Sequence, residues 1–247
     1  MRARAVTPPT VFHVTHYKAG SQWIYAILRN CLPSQRMVAP EFDRGQFLTQ
    51  PVQEGKVYPT LYVTREEFES VPLPERWSRF VVIRDLRDAL ISGYFSIKVS
   101  HPRFQSEPVQ RLRERLQLMS IEDGLIHMTE TWLDVNCRIQ ESWLGEADAL
   151  LRYEDLLEHD VAILEPLLLD RCELGVRRWR LRRAIKLARF DRASGGRARG
   201  QEDVGAHQRK AVVGDWRNHF TPAVKQAFKE RAGEILVAAG YESGPDW

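Results

Sequence analysis

RFVVIRDLRDALISGYF, residues 79–95, reads as a short apolar strand that runs straight into a helix. Phe80 to Ile83 is an unbroken run of large apolar residues, the mark of a strand covered on both faces. Beyond it Leu86, Ala89, Leu90, Gly93, Tyr94 and, just past the stretch, Ile97 recur at i, i+3, i+4, i+7, i+8 and i+11, which is one face of a helix. Asp85, Asp88 and Ser92 mark the opposite face. The same alternation recurs along the chain. TVFHV (10–14), TLYVT (60–64) and ADALLRY (147–153) read as strands, whereas SQWIYAILRNC from Ser21, the pattern from Ser120 to Leu144 and EDLLEHDVAILEPLLL from Glu154 read as helices. Strand followed by helix, repeated, predicts an α/β fold with parallel strands, right-handed crossovers and helices on both faces of the sheet. In such sheets ligands bind beyond the carboxyl ends of the strands, so the strand-to-helix junctions are where chemistry is expected.

Composition narrows the function class without naming a ligand. Of 247 residues, 36 are Lys or Arg and 33 Asp or Glu, a formal charge of +3, which gives no global reason for a polyanionic partner. The length suits a single domain spanning 1–247. ASGGRARGQEDVGAH, 193–207, carries four glycines and no apolar period, and reads as a flexible loop long enough to expect a role. Cys31, Cys137 and Cys172 lack any metal or redox spacing and are expected to be reduced, buried thiols. MRARAVTPPTVFHV lacks an apolar signal core, and no run is long enough to span a membrane, so a cytoplasmic protein is expected. The run 171–199 holds 11 Lys or Arg against 2 Asp or Glu; it reads as a solvated helix face rather than a nucleic-acid surface.

Three segments carry chemistry. THYKAGSQW (15–23) places a lysine, a glycine and a hydroxyl at a helix entrance, where the first N–H groups favour an anion. The lysine precedes the glycine, unlike the P-loop pattern GxxxxGK(S/T), and the same residues also suit a plain start with Ser21 as cap and Lys18 solvated. Arg84 at the tip of a buried strand and Ser92, eight residues on, lie about two helical turns apart and suit one anion. The alternative is an internal ion pair from Arg84 to Asp85 or Asp88. In QRKAVVGDWRNHF (208–220), Arg209 and Lys210 would close over a phosphate or stand as an ordinary solvated pair.

In this order, THYKAGSQW, RDLRDALIS, LRYEDLL and RKAVVGDWRNHFT resemble the sulfotransferases that use 3′-phosphoadenosine 5′-phosphosulfate (PAPS), over about residues 10–230. The resemblance implies a three-layer α/β sandwich with a central parallel sheet, P-loop NTPase-like, and sulfuryl transfer from PAPS to a hydroxyl of a small molecule, lipid or sugar, releasing PAP. It places the 5′-phosphosulfate on Lys18, Ala19, Gly20, Ser21 and Gln22, with Trp23 on the adenine. Arg84 and Ser92 match the 3′-phosphate pair, Arg209 and Lys210 the residues that close over it, and Tyr153 and Phe190 further adenine contacts. Lys18 would neutralise the leaving oxygen, Ser92 would hold Lys18 in check, and no metal is implied. Ala211 stands where the family often has Gly.

The resemblance breaks at the general base. Many members carry a histidine in a Lys-Thr-His stretch, and the corresponding TLYVTREEF has none. Tyr62, Glu66, Glu67, His16, His101 and His127 are candidates; a glutamate would need a raised pKa, and Glu66 and Glu67 equally suit a helix start. The animal members' dimerisation pattern also departs here, with Pro222 and Gln226 at its Val and Glu positions. Two other classes remain open: a P-loop-type kinase, disfavoured by the order of lysine and glycine, and a nucleotide-binding protein without turnover, motivated by the missing histidine.

Overall fold

A computed structural model describes residues 7–40, 45–100, 106–145 and 150–247. His101 and the first residues of the expected 147–153 strand lie outside them. In chain order the elements are β1 (Thr10–Thr15), α1 (Ser21–Cys31), α2 (Gly45–Thr49), β2 (Val57–Leu61), α3 (Arg65–Glu69), β3 (Trp77–Ile83), α4 (Leu86–Phe95), α5 (Glu107–Gln117), α6 (Ile121–Thr131), α7 (Leu133–Trp143), β4 (Leu150–Arg152), α8 (Tyr153–Pro166), α9 (Arg178–Ala188), α10 (Phe190–Ala193) and α11 (Pro222–Ala238). They fall into two compact units, one of residues 1–83 and 142–189, the other of 84–141 and 190–247.

The first unit holds the sheet, with strand order β2-β1-β3-β4 and every pair parallel. Strand β1 is central: Val11 lies opposite Val57 on one side and Ser78 on the other. Its side chains alternate between two packed layers. Val11 joins Phe80, Val82 and Val57 against Ile24, Ile27 and Leu28 of α1, Leu156 of α8, and Leu181 and Ile185 of α9. On the other side the Phe12 ring meets Phe47, Tyr58 and Phe68 at 5.9, 5.0 and 5.2 Å. Trp143 closes this layer, its Nε1–H donating to the Val63 carbonyl at 3.0 Å. Both faces of the sheet are thus covered by helices, which gives the expected three layers. The arginine-rich α9 follows the same logic: Leu181, Ala184, Ile185 and Ala188 are buried, while Arg182 and Arg178 reach Glu165 on their exposed side.

Several boundaries move from the sequence reading for local reasons. Strand β2 ends at Leu61 rather than Thr64, because Thr64 enters a capping box: its Oγ1 accepts from the Glu67 N–H, and Glu67 Oε2 accepts from the Thr64 N–H at 2.8 Å. Tyr153 opens α8 instead of ending a strand. The pattern from Ser120 to Leu144 is two helices that part at Trp132, and α8 is interrupted at His159, where φ is −127° and ψ 33°. The three cysteines are free and buried, and burial pushes the Cys31 and Cys137 thiols up to about 11 and about 12. Among the described residues no helix is long and apolar enough to cross a membrane.

In the second unit α4 is capped by Asp85, whose side chain accepts from the Arg87 N–H. The expected apolar face is buried throughout, but the face assigned to Asp88 is not open to solvent: Arg87 and Asp88 are 2% and 1% exposed. Arg87 lies between the Trp216 and Trp247 rings, 4.0 and 4.5 Å from their centroids, and pairs with Asp85 and Glu242. Close approach explains Gly93: a Cβ there would sit 2.6 Å from the Trp132 ring. Thr221 caps α11 by accepting from the Val224 N–H, and Pro222 occupies its first turn, where a missing N–H costs nothing. The glycine-rich stretch is tied down by Gly200 and Asp203 N–H bonds to the Lys210 and Arg209 carbonyls, and by Arg197, whose guanidinium donates to the carbonyls of Gln201, Gln208 and Arg209.

Two stability predictions follow from this packing. His13 of β1 is fully buried, stacked on Phe80 at 4.9 Å with Nδ1 2.6 Å from the Pro59 carbonyl, and burial holds its pKa down to about 4 against 6.5 in an unfolded chain. Unfolding therefore takes up a proton between these values, and His13 costs stability progressively as the pH falls through that window, by up to about 3 kcal/mol. Urea unfolding at pH 6.5 and 5 is expected to show a markedly smaller loss in His13→Asn than in the wild type. At Ala211, φ is +51°, a left-handed conformation that costs an L-residue roughly 1–2 kcal/mol. Ala211→Gly relieves that strain against a freer unfolded chain, so denaturant titration is expected to give a gain of about 0.5–1 kcal/mol.

Candidate functional site

The first unit presents the β1–α1 junction. Between the carboxyl end of the central strand and the helix, the chain turns through two left-handed residues, Lys18 at φ +68° and Gly20 at φ +90°. Gly20, not Ser21, is the N-cap, and it makes no side-chain cap bond. The first intrahelical bonds come from the Trp23 and Ile24 N–H groups to the Gly20 carbonyl, at 3.0 and 3.1 Å. The N–H groups of Ser21 and Gln22 precede them and have no intrahelical acceptor, as in every helix first turn. Ala19 is fully buried and Ser21 is 6% exposed, while Lys18, Gln22 and Trp23 are half-buried. Ser21 is fixed from β2's end: the Tyr62 hydroxyl donates to Ser21 Oγ at 2.9 Å, and the Tyr17 ring lies against Tyr62 at 4.2 Å.

Two aromatic residues flank this loop. Tyr153 meets Trp23 edge to face at 6.0 Å, and a Cβ on Gly20 would lie 2.8 Å from the Tyr153 ring. Glycine at 20 is thus required twice, by its φ and by the approach of Tyr153. The structure thus brings the loop of residues 18–23 and Tyr153 together.

The second unit gathers the other basic residues. Arg84 is 8% exposed; its Nη2 lies 3.4 Å from the Val212 carbonyl and 3.8 Å from Asp88 Oδ2. Of the two acids weighed for Arg84, Asp88 lies 3.8 Å from it, while Asp85 pairs with Arg87 at 2.7 Å. Ser92 lies two turns along α4, half-buried. Arg209 and Lys210 are not a solvated pair. Both reach Asp215, Lys210 Nζ at 2.7 Å, and Arg209 also pairs with Glu202 and lies 4.5 Å over the Phe95 ring. Asp215 further accepts from Asn218 Nδ2 at 2.9 Å, with His219 Nε2 at 3.5 Å. Burial opposes its ionisation, yet hydrogen bonds from His219, Lys210, Arg209 and Asn218 win and hold its carboxyl well below the usual range. Phe190 sits in α10 under the Arg197 guanidinium at 5.1 Å.

The candidate bases fare differently from one another. Tyr62 is 5% exposed and burial pushes its hydroxyl up to about 12, so it keeps its proton and donates it. Glu66 is exposed, and hydrogen bonds from its own N–H and from Thr64 lower its pKa, the reverse of what a base needs. Glu67 is the capping-box acid of α3. His16 is fully buried with Nδ1 3.0 Å from the Tyr17 carbonyl, and His127 lies half-buried on α6. Among the described residues no three His, Cys, Asp or Glu side chains are placed to hold a metal ion. Sequence reasoning missed Asp215, Glu202 and Phe95 as partners of the basic pair, and Tyr17 beside Tyr62. The acid of GDW, between two basic segments, was the available signal for the first of these.

The family described as a sulfotransferase domain matches residues 8–237. The chain is 25% identical over 253 aligned residues to the 3-alpha-hydroxysteroid sulfotransferase of Cavia porcellus, covering 92% of this chain and 83% of that protein. Among solved structures, a mouse sulfotransferase complexed with PAP superposes with a TM-score of 0.62 at 16% identity, over 94% of this chain and 88% of the other. Retinol dehydratase in a complex with retinol and PAP gives a TM-score of 0.54 at 14% identity, over 94% and 82%. These two share the fold. With the family match running through both the β1–α1 loop and the basic segment at 209–210, the chain belongs to the sulfotransferase domain family and is an enzyme of the PAPS-dependent sulfotransferase class.

Proposed function

We propose that the enzyme transfers the sulfuryl group of PAPS to a hydroxyl of a small molecule, lipid or sugar and releases PAP. The observation that carries this reading is the β1–α1 junction: a lysine, a buried serine and two helix N–H groups without intrahelical acceptors surround one turn at the carboxyl end of the central strand. That donor set fits an anionic oxygen cluster. A PAP-bound mouse relative of the same fold supports the choice of nucleotide.

The loop Lys18, Ala19, Gly20, Ser21 and Gln22 takes the 5′-phosphosulfate, and the Trp23 and Tyr153 rings take the adenine, with Phe190 as a further aromatic contact. Arg84, Ser92, Arg209 and Lys210 take the 3′-phosphate. Glu202, more than a third exposed, is the acid that a phosphate dianion displaces from Arg209, whereas Asp215 is 3% exposed and stays as the fixed counter-charge. In the transfer, the acceptor oxygen forms a bond to sulfur as the bond from sulfur to the phosphate oxygen breaks, in line. Lys18 meets the negative charge that develops on that departing oxygen. The acceptor's proton leaves to a base other than Tyr62, whose own proton is held by burial.

Two experiments test this reading. At 100 times its dissociation constant PAP is expected to stabilise the protein by about 2.7 kcal/mol, a rise of about 5–10 °C in Tm, while ATP with magnesium gives little. Arg84→Ala is expected to remove most of the PAP effect; stabilisation by ATP with magnesium but not by PAP overturns the proposal. Lys18→Ala is expected to lower labelled-sulfate transfer to a panel of alcohols about 10²–10³-fold while retaining most PAP affinity. Unchanged transfer in that variant removes Lys18 from its role.

A further inference from the structure

We infer that Tyr62 is a positioning residue: its hydroxyl fixes that of Ser21, so that the single Ser21 proton is presented to the 5′-phosphosulfate. This rests on the reading that the β1–α1 loop holds that group. A serine hydroxyl has one proton to give and two lone pairs to receive with, and free rotation about its C–O bond lets the proton go to whichever acceptor is nearest. When a second hydroxyl donates to it, one lone pair is taken, and the serine proton has to point away from that donor. Tyr62 makes such a donation at 2.9 Å.

The geometry around the pair is built to hold this direction. Tyr62 is 5% exposed and follows β2 directly, so its backbone is set by the sheet. Two residues later the Thr64–Glu67 capping box anchors the chain again. The Tyr17 ring covers the Tyr62 ring at 4.2 Å and restricts its rotation. Ser21 is the first residue of α1, beside the N–H groups that open toward the anion. Burial, pushing the Tyr62 hydroxyl up to about 12, keeps it a donor across the working pH range. Tyr62 thus lies in the stretch where many relatives carry a histidine base, and its chemistry there is the opposite: it keeps its proton and points it at a neighbour in a hydrogen bond.

The test is a double-mutant cycle on PAP affinity, measured by titration calorimetry well below Tm. Tyr62→Phe keeps the ring against Tyr17 and deletes only the hydroxyl. It is expected to weaken PAP binding about three- to tenfold, the worth of one hydrogen bond. Ser21→Ala is expected to weaken it at least as much, and Tyr62→Phe made in the Ser21→Ala background to change it by less than twofold, because the hydroxyl it orients is gone. A purely structural role for Tyr62 gives effects that multiply in the double variant, which overturns the inference, as does wild-type affinity in Tyr62→Phe. Circular dichroism of each variant separates a failed fold from a lost contact. If the wild type itself does not bind PAP, the nucleotide reading falls and this inference with it; binding with multiplicative effects overturns this inference alone.

Discussion

The carboxylate of Asp88 holds the second unit's chemistry in place. At 1% exposure it accepts from the Gly214 and Trp216 N–H groups, at 2.7 and 3.0 Å, across 126 and 128 residues of sequence. A buried charge is costly unless hydrogen-bonded and paired, and here two N–H donors and the Arg84 guanidinium at 3.8 Å answer it. Burial raises the Asp88 carboxyl, while Arg84 and the two donors pull it down. The consequence is positional: the segment bearing Arg209, Lys210 and Asp215 is fastened to the first turn of α4. Arg87 repeats the logic one residue earlier, answered by Asp85, Glu242 and two indole faces.

The first unit solves a different problem. Its anion-type turn needs a backbone that bends sharply where a strand becomes a helix, and two consecutive-but-one left-handed residues supply the bend. One of them, Lys18, is not glycine, so the turn stores strain of the kind that surrounding structure must hold in place. The central position of β1, with Ala19 and Ser21 buried and Tyr62 bonded to Ser21, provides that support. Arg209 and Lys210 of the second unit are balanced by acids of their own, Asp215 and Glu202.

What was legible in the sequence follows from what periodicity reports. The 3.6-residue period found α1 to the residue, and the apolar runs found the four described strands within three positions, because burial of one face leaves a mark at fixed spacing. Strand β2 was placed three residues late because the Thr64 capping box, a local hydrogen-bond exchange, ended it against its apolar pattern. Asp88 was read as part of a polar helix face because charge predicts exposure; only distant partners make the burial of Asp88, and of Arg87 beside it, tolerable. Tyr62 was read as a candidate base because the sequence does not show whether a phenol is buried.

The sequence by itself determined the strand–helix alternation, the order of the basic motifs and hence the family, since these depend on local spacing and on residue type. The tertiary structure alone decided which acid answers which cation, that Gly20 rather than Ser21 caps α1, and that the Tyr62 hydroxyl donates a hydrogen bond to a residue 41 positions away. Those outcomes depend on desolvation and on contacts between distant segments. A side chain's charge state and partner are properties of its surroundings, and the linear chain does not contain them.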